Sequence, residues 1–114
     1  MIKFVIDLKL DNWNDTIKHC RYSKYYANEK KKEEMNKIAY YIQDIPKITK
    51  YPIKIVFKWH IKRTNSDIDN KSCKAILDCM QRENKLENDD IKHITEITHI
   101  AIKDENEFVE VEII

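Results

Sequence analysis

Residues 65–90, NSDIDNKSCKAILDCMQRENKLENDD, form the stretch around which the rest of the chain is arranged. The stretch opens with two carboxylates one residue apart, Asp67 and Asp69, and closes on a second acidic pair, Asp89 and Asp90. Between the pairs, apolar residues recur at helical spacing and predict an amphipathic helix over residues 71–82. Crowded carboxylates repel one another, and proteins commonly offset such charge with a hard divalent cation such as Mg²⁺.

Alternating apolar and polar residues surround this stretch and predict a β-sheet. The predicted strands are residues 2–10, 52–62, 93–102 and 108–114. The phase slips once within the third strand, which predicts a β-bulge. A second helix is predicted over residues 28–45, because apolar residues recur at helical spacing up to Pro46. The order β-α-β-α-β-β predicts one α+β domain over residues 1–114, with a mixed sheet and two helices packed on it.

Composition narrows the class of protein. The chain has 114 residues, of which 42% are hydrophobic and 36% charged, as in a globular domain. No apolar run approaches the ~20 residues needed to cross a bilayer, and the first ten residues are not typical of a secretory signal. Three cysteines cannot pair completely, which together with these absences predicts a cytoplasmic location. Glycine is absent, so turns must use Asn and Asp.

Charge is distributed unevenly along the chain. Residues 18–63 carry thirteen Lys or Arg and four Asp or Glu, whereas residues 64–114 carry six and thirteen. A basic half would hold phosphates, and an acidic half would hold a metal ion. The alternative is an uneven split of ordinary surface charge.

Residues 13–28 mix aromatic and basic side chains and read as a loop that contacts a nucleic-acid strand. For the aromatic side chains, packing against the core is the favoured interpretation. The basic side chains expected to contact DNA, in this loop and around the acidic stretch, are Lys18, Arg21, Lys24, Lys62, Arg63 and Lys71. The run at residues 30–32 reads as the solvated first turn of a helix.

Two arrangements of the acidic stretch follow from its spacing. In extended backbone, Asp67 and Asp69 project from the same side and both reach one ion. Asp69 or Asn70 is also placed to cap the following helix. Lys74 either pairs with Asp78, four residues on, or leans back toward the carboxylates.

Other sites are weaker candidates. The four histidines lack the spacing of zinc ligands and are expected at the surface or at strand edges. The cysteines are expected to be buried packing residues. A glycine-rich phosphate loop is excluded because the chain has no glycine.

The string D-I-D-N, a Lys a few residues on, an Asp four residues after it and a downstream D-D resemble the RusA family of Holliday junction resolvases. The upstream segment WNDTIKHCRYSKYYANEKKK resembles the N-terminal loop and Lys-rich helix of that family. The resemblance therefore covers most of the chain. It implies a homodimeric, Mg²⁺-dependent endonuclease, with Mn²⁺ as a possible substitute, that nicks four-way DNA junctions symmetrically.

The resemblance also implies site residues. Asp67, Asp69 and Asp90 would be the catalytic, metal-binding carboxylates, and Lys74 would be the catalytic lysine. That lysine lies five residues after the second Asp instead of the family's four, so Lys71 is an alternative. The family's Gly before the downstream pair is missing.

Two functions from other classes fit the same composition. One is a catalytically inert nucleic-acid-binding module, in which carboxylates only cap helices and the basic half binds DNA. The other is a protein-interaction domain whose acidic and basic halves pair between chains.

Overall fold

The strand pattern produces a four-stranded mixed sheet. The computed structural model describes residues 1–114. Its strands are β1 (Ile2–Ile6), β2 (Ile53–Ile61), β3 (Ile94–Lys103) and β4 (Phe108–Ile113). They lie in the order β1-β4-β2-β3, with β2 parallel to β3 and β4 antiparallel to both of its neighbours. The predicted α+β class, the mixed sheet and the order of the predicted elements are confirmed.

The register shows the predicted bulge in β3. Ile53 pairs with Ile94, whereas the next residue, Lys54, pairs with Glu96, so Thr95 has no partner on β2. An extra residue of this kind shifts the side chains that follow to the other face. The phase slip seen in the sequence therefore has a structural cause.

Three α-helices accompany the sheet, one more than predicted. They are α1 (Trp13–Tyr22), α2 (Lys24–Ile42) and α3 (Lys74–Arg82), and a short 3-10 turn spans Ile68–Asn70. The prediction of a loop over residues 13–28 is wrong. Helix α1 begins there because Asn12 and Asp15 form a reciprocal capping box, and Ser23 then caps α2 through the backbone N–H of Tyr26.

The core lies between one face of the sheet and helices α2 and α3. Its sheet side is formed by the alternate residues of β2 and β4, all of them buried: Ile53, Ile55, Phe57, Trp59, Ile61, Val109, Val111 and Ile113. Its helix side comes from Ile38 and Ile42 of α2 and from the stripe Ile76, Leu77 and Met80 of α3. Burial of these large apolar side chains is the main stabilising term of the domain.

Several boundaries differ from the predicted ones, without loss of the core: α2 begins and ends earlier than residues 28–45, α3 begins at Lys74 instead of residue 71, and β1 is shorter than residues 2–10. Strand β1 ends at Ile6, yet Leu8 and Leu10 still pack against the core cluster.

Helix α3 ends in a turn that contains no glycine. Asn84 adopts the left-handed backbone with φ of 60°, and the N–H groups of Lys85 and Leu86 donate to the carbonyl of Met80. Asn therefore takes the place that Gly usually fills behind a helix, as a glycine-free chain requires.

Candidate functional site

The upstream acidic pair lies in the connection between β2 and α3. Asp67 directly precedes the 3-10 turn and Asp69 lies within it, and both residues are exposed. Neither carboxylate accepts a hydrogen bond or forms an ion pair, so the oxygen atoms of both are free to bind a ligand. The turn itself packs against β3, which fixes its position relative to the sheet.

The backbone between Asp67 and Asp69 is not extended, although the prediction that both carboxylates project from the same side assumed that it is. That expectation required extended backbone, whereas Ile68–Asn70 form a 3-10 turn. With three residues per turn, side chains two positions apart point in different directions. Asp67 and Asp69 are therefore close along the chain, but the backbone does not by itself align them.

Asn70 has a different role from the predicted cap of α3. Its Oδ1 accepts a hydrogen bond of 3.1 Å from the backbone N–H of Asn14, in the first turn of α1. The N-cap of helix α3 is Cys73, which makes no side-chain capping hydrogen bond, and the preceding Ser72 accepts from the N–H of Lys74 through Oγ at 3.3 Å. The acidic connection is thus fastened to the start of α1.

Lys74 stands at the start of α3 between two carboxylates. Its Nζ lies 3.2 Å from Asp78 Oδ1, which confirms the predicted pairing four residues apart, and 3.4 Å from Asp89 Oδ2. The hydrogen bond to Asp78 is the main cause that raises the pKa of Lys74 above its ordinary value, and the charges of Asp78 and Asp89 add to it against the opposing effect of burial. The lysine is therefore cationic at neutral pH, with its side chain half exposed.

Lys31 joins this cluster from α2. Its Nζ forms an ion pair with Asp78 Oδ2, so that two lysines share one carboxylate. The sequence interpretation placed Lys31 in a solvated helix turn. No sequence signal could have found this contact, because the two residues are 47 positions apart and meet only through the packing of α2 on α3.

Asp90, the second residue of the downstream pair, is held by the turn that leads into β3. Its Oδ1 accepts hydrogen bonds from the backbone N–H groups of Lys92 and His93 and contacts the ring Nδ1 of His93. The bond to His93 is the main cause that lowers the pKa of Asp90. All three contacts use Oδ1, and Oδ2 has no hydrogen-bond partner.

The three predicted metal ligands do not form one group. No cluster of three or more His, Cys, Asp or Glu side chains in the chain is arranged to share an ion. Mg²⁺, however, usually takes only one or two protein carboxylates and completes its shell with water and substrate phosphates. The free oxygens of Asp67 and Asp69 fit that smaller requirement, whereas a closed three-carboxylate site is not present.

The six predicted DNA-binding side chains differ in exposure. Five of them are exposed, and Lys71 is half-buried between the 3-10 turn and α3. None of the six forms an ion pair. Lys71 lies in a small cleft with Leu8, Lys9 and Trp59, and it forms no ion pair with Asp78 or Asp89, the carboxylates that bind Lys74.

Most aromatic side chains of the N-terminal helices do not pack against the core. Tyr22 and Tyr25 are 78% and 77% exposed, and Trp13 is 43% exposed. The favoured interpretation, in which these side chains cap the core, is therefore wrong for the two tyrosines. Beside the cations of α1, they leave aromatic faces open to solvent.

Other reactive groups are occupied or inert. Burial raises the pKa of the Cys79 thiol to about 11, and it also raises the pKa of Cys73, so neither thiol is a nucleophile at neutral pH. Cys20 is exposed, contrary to the expectation of burial.

His60, expected at the surface or at a strand edge, is largely buried, with Asp104 at its Nδ1 and Glu110 at its Nε2. The two carboxylates lie on opposite edges of the ring and cannot chelate one ion with it.

Comparisons with known proteins give no match, either among the models of protein families or among the curated proteins. None of the helices is long and apolar enough to cross a membrane.

Proposed function

We propose that this protein is a metal-dependent endodeoxyribonuclease that resolves four-way DNA junctions by paired nicks. The observation that supports this most is the position of Lys74, whose ammonium group lies 3.4 Å from Asp89 although the two residues are 15 positions apart. The fold thus brings a cation at the start of α3 against the downstream acidic pair. The connection that carries Asp67 and Asp69 runs directly into the same helix.

The upstream pair would hold Mg²⁺ or Mn²⁺ together with a phosphate of the DNA. Bound there, the ion supplies a water of lowered pKa and polarises a phosphate oxygen. Asp67 and Asp69 are suited to this role because no other group occupies their oxygens. Asp90 would contribute through Oδ2, the atom that the turn before β3 leaves free.

Lys74 would stabilise negative charge on the phosphate. An ammonium group carries three donors, and Lys74 directs one to Asp78 and one to Asp89. The third donor remains for a phosphate oxygen, where a fixed cation stabilises the charge that develops during hydrolysis. Lys71 is the weaker candidate, because it lies in a separate cleft.

The exposed cations would bind the DNA backbone. Lys18, Arg21 and Lys24 follow one another along α1 and the start of α2, and Tyr22 and Tyr25 lie exposed beside them in the chain. Cations neutralise phosphates, and open aromatic faces stack on unpaired bases. Since symmetric cleavage needs two sites, the active form would be a two-fold homodimer.

Cleavage of a synthetic four-way junction tests the proposal. The full chain is incubated with the junction, or with linear duplex of the same sequence, in Mg²⁺ and in EDTA. We expect paired symmetric nicks in the junction that require the metal, and little cleavage of the duplex. Metal-independent cleavage, or none with Mg²⁺ or Mn²⁺ across several junction sequences, would contradict it.

One observation favours a second candidate, an inert nucleic-acid-binding module. The predicted ligands do not form a closed metal site, whereas the cations of α1 are exposed and unpaired. This candidate predicts salt-sensitive binding of DNA without cleavage. A triple change of Lys18, Arg21 and Lys24 to Ala should then lower the slope of log affinity against log salt by about 3, one for each lost phosphate contact.

A further inference from the structure

A cavity of about 230 Å³ lies between α1, the first half of α2 and the start of α3. Its wall includes Trp13, Glu34, Lys31 and Lys74. Pockets for drug-sized ligands occupy ~300–1,000 Å³, so this cavity is limited to a smaller occupant, such as a single ring system. Lys31 and Lys74 also belong to the cluster around Asp78, which places the cavity directly beside the proposed phosphate site.

Glu34 is an incompletely paired acceptor in this cavity. Its Oε2 accepts a hydrogen bond of 2.9 Å from the backbone N–H of Asp11, and its Oε1 has no donor. Burial is the main cause that raises the pKa of Glu34, because the carboxylate loses more water than its one hydrogen bond replaces. A ligand that donates N–H groups would complete the hydrogen bonding of Oε1.

Trp13 supplies an aromatic surface at the same cavity, and its position is fixed. It is the first residue of α1, directly after the capping residue Asn12. The next residue, Asn14, is bound through its N–H to Asn70. With 43% of its surface exposed, the indole is open to stacking by a flat ring.

Building on the proposed function, we propose that this cavity binds one unstacked nucleobase of the DNA, stacked on Trp13 and donating an exocyclic amino group to Glu34. Lys74 connects the two sites, because it lines the cavity and also contacts Asp89. A base held there would place its own phosphate beside the acidic cluster. Bases at a branch point are the easiest to unstack, so such a cavity would favour branched DNA over duplex.

The binding is tested with mononucleotides and the ¹⁵N-labelled full chain, followed through the indole N–H signals. Trp13 reports on the cavity, and Trp59 is an internal reference because it is buried and donates to His99 Nδ1 at 2.9 Å. We expect dCMP and dGMP to shift the Trp13 signal saturably, TMP to bind about tenfold more weakly, and deoxyribose 5-phosphate to leave it unchanged. Trp59 should not respond to any of them.

Four variants make the result specific. Glu34→Gln keeps an acceptor for the N–H of Asp11 but removes the carboxylate, so dCMP and TMP should bind within about twofold of each other. Trp13→Ala and Trp13→Phe lack the indole reporter, so their binding is followed through the backbone amide signals of Lys31 and Glu34. Trp13→Ala should weaken the binding of dCMP about tenfold, which corresponds to ~1.4 kcal/mol. Tyr40→Ala is the matched control, since it removes an exposed aromatic ring outside the cavity and should leave the binding of dCMP unchanged. A Trp13→Phe variant, which keeps an aromatic ring, should retain most of the affinity and shows that the helix start still folds.

The outcomes separate this inference from the proposed function. If no nucleotide shifts Trp13, or deoxyribose 5-phosphate shifts it equally, the base-binding cavity is refuted even where the junction is cleaved. Retention of the preference for dCMP over TMP in Glu34→Gln would refute the role of Glu34. Saturable binding of dCMP by a protein that cleaves no junction would support the cavity and refute the nuclease.

Discussion

The two acidic pairs of this chain are held in different ways. Asp89 and Asp90 are fixed by their surroundings, the first by Lys74 and the second by His93 and two backbone N–H groups. Asp67 and Asp69 have no such partners and stand exposed on a 3-10 turn. The upstream pair is therefore wholly available for a ligand, whereas Asp90 has Oδ1 occupied within the protein and only Oδ2 left for a ligand.

The largest expected effect concerns the upstream pair. Asp69→Asn removes a metal ligand, so the rate of junction cleavage should fall at least ~100-fold, because several kcal/mol of transition-state stabilisation are lost. Binding of the junction should persist or tighten, since a negative charge near the phosphate is removed. Rates under single-turnover conditions and a gel-shift titration measure the two effects.

Asp44→Asn is the matched control, because Asp44 is an exposed carboxylate in the turn after α2, away from the acidic stretch. It should cleave at the wild-type rate. If Asp69→Asn cleaved the junction at the wild-type rate, the assignment of Asp69 to the metal site would be wrong.

The second effect concerns the lysine. Lys74→Ala should lower the cleavage rate about 100-fold. Enzymes lose about this much rate when one fixed group that stabilises the charge of the transition state is removed. Lys71→Ala should leave the rate within a few-fold of wild type, because Lys71 lies in a different cleft. Comparing the two rates at saturating Mg²⁺ decides between the two lysines, and a larger loss from Lys71→Ala would reverse the assignment.

A smaller effect distinguishes the pairs by stability. Asp90→Ala leaves the N–H of Lys92 without its acceptor and removes the contact with the His93 ring, whereas the His93 N–H keeps the carbonyl of residue 90, and the melting temperature should fall by about 2–5 °C. Asp69→Ala should change it by less than about 1 °C, because no group depends on that carboxylate. Thermal unfolding followed by circular dichroism measures both, and equal shifts would contradict the comparison.

The smallest expected effect is the pH dependence of the difference in melting temperature between wild type and Asp90→Ala. The pKa of Asp90 is lowered in the folded protein, so its stabilising contribution is present above the ordinary Asp pKa of ~3.9 and disappears as the pH falls through the lowered value. The gap in melting temperature between wild type and Asp90→Ala should therefore close as the pH falls from about 5 to below 4. A gap that persisted undiminished at pH 3 would contradict the ionised role of Asp90.

The sequence predicted those parts of the fold whose pattern is local. Ile53, Phe57 and Ile61 alternate because one face of β2 is buried, and that pattern is visible in the residues themselves. Helix α1 was missed for the converse reason. Its apolar residues Trp13, Ile17 and Cys20 recur at helical spacing, but none of its residues is buried, and its start is held by the Asn12 cap and by a hydrogen bond that Asn14 donates to a residue 56 positions away.

The site was predictable to a similar degree. The pairing of Lys74 with Asp78 follows from helical spacing, and it is confirmed. The ion pair of Lys31 with Asp78 and the bond of Asn70 to Asn14 join distant segments, and only the packed structure reveals them. The expectation that Asp67 and Asp69 share a side was wrong in its reasoning, because strand alternation was extended beyond the end of β2.

The most direct test of the central claim is a Mn²⁺ titration of the ¹⁵N-labelled chain, with and without bound junction, in wild type and in Asp67→Asn. A bound Mn²⁺ broadens the signals of nearby nuclei, so the position of the ion is read directly. We predict broadening centred on the amides of residues 67–70, extending to Asp89 and Asp90 when the junction is bound, and its loss in the variant. Broadening centred elsewhere, or none in this loop even with the junction, would contradict the assignment of the upstream pair as the metal site.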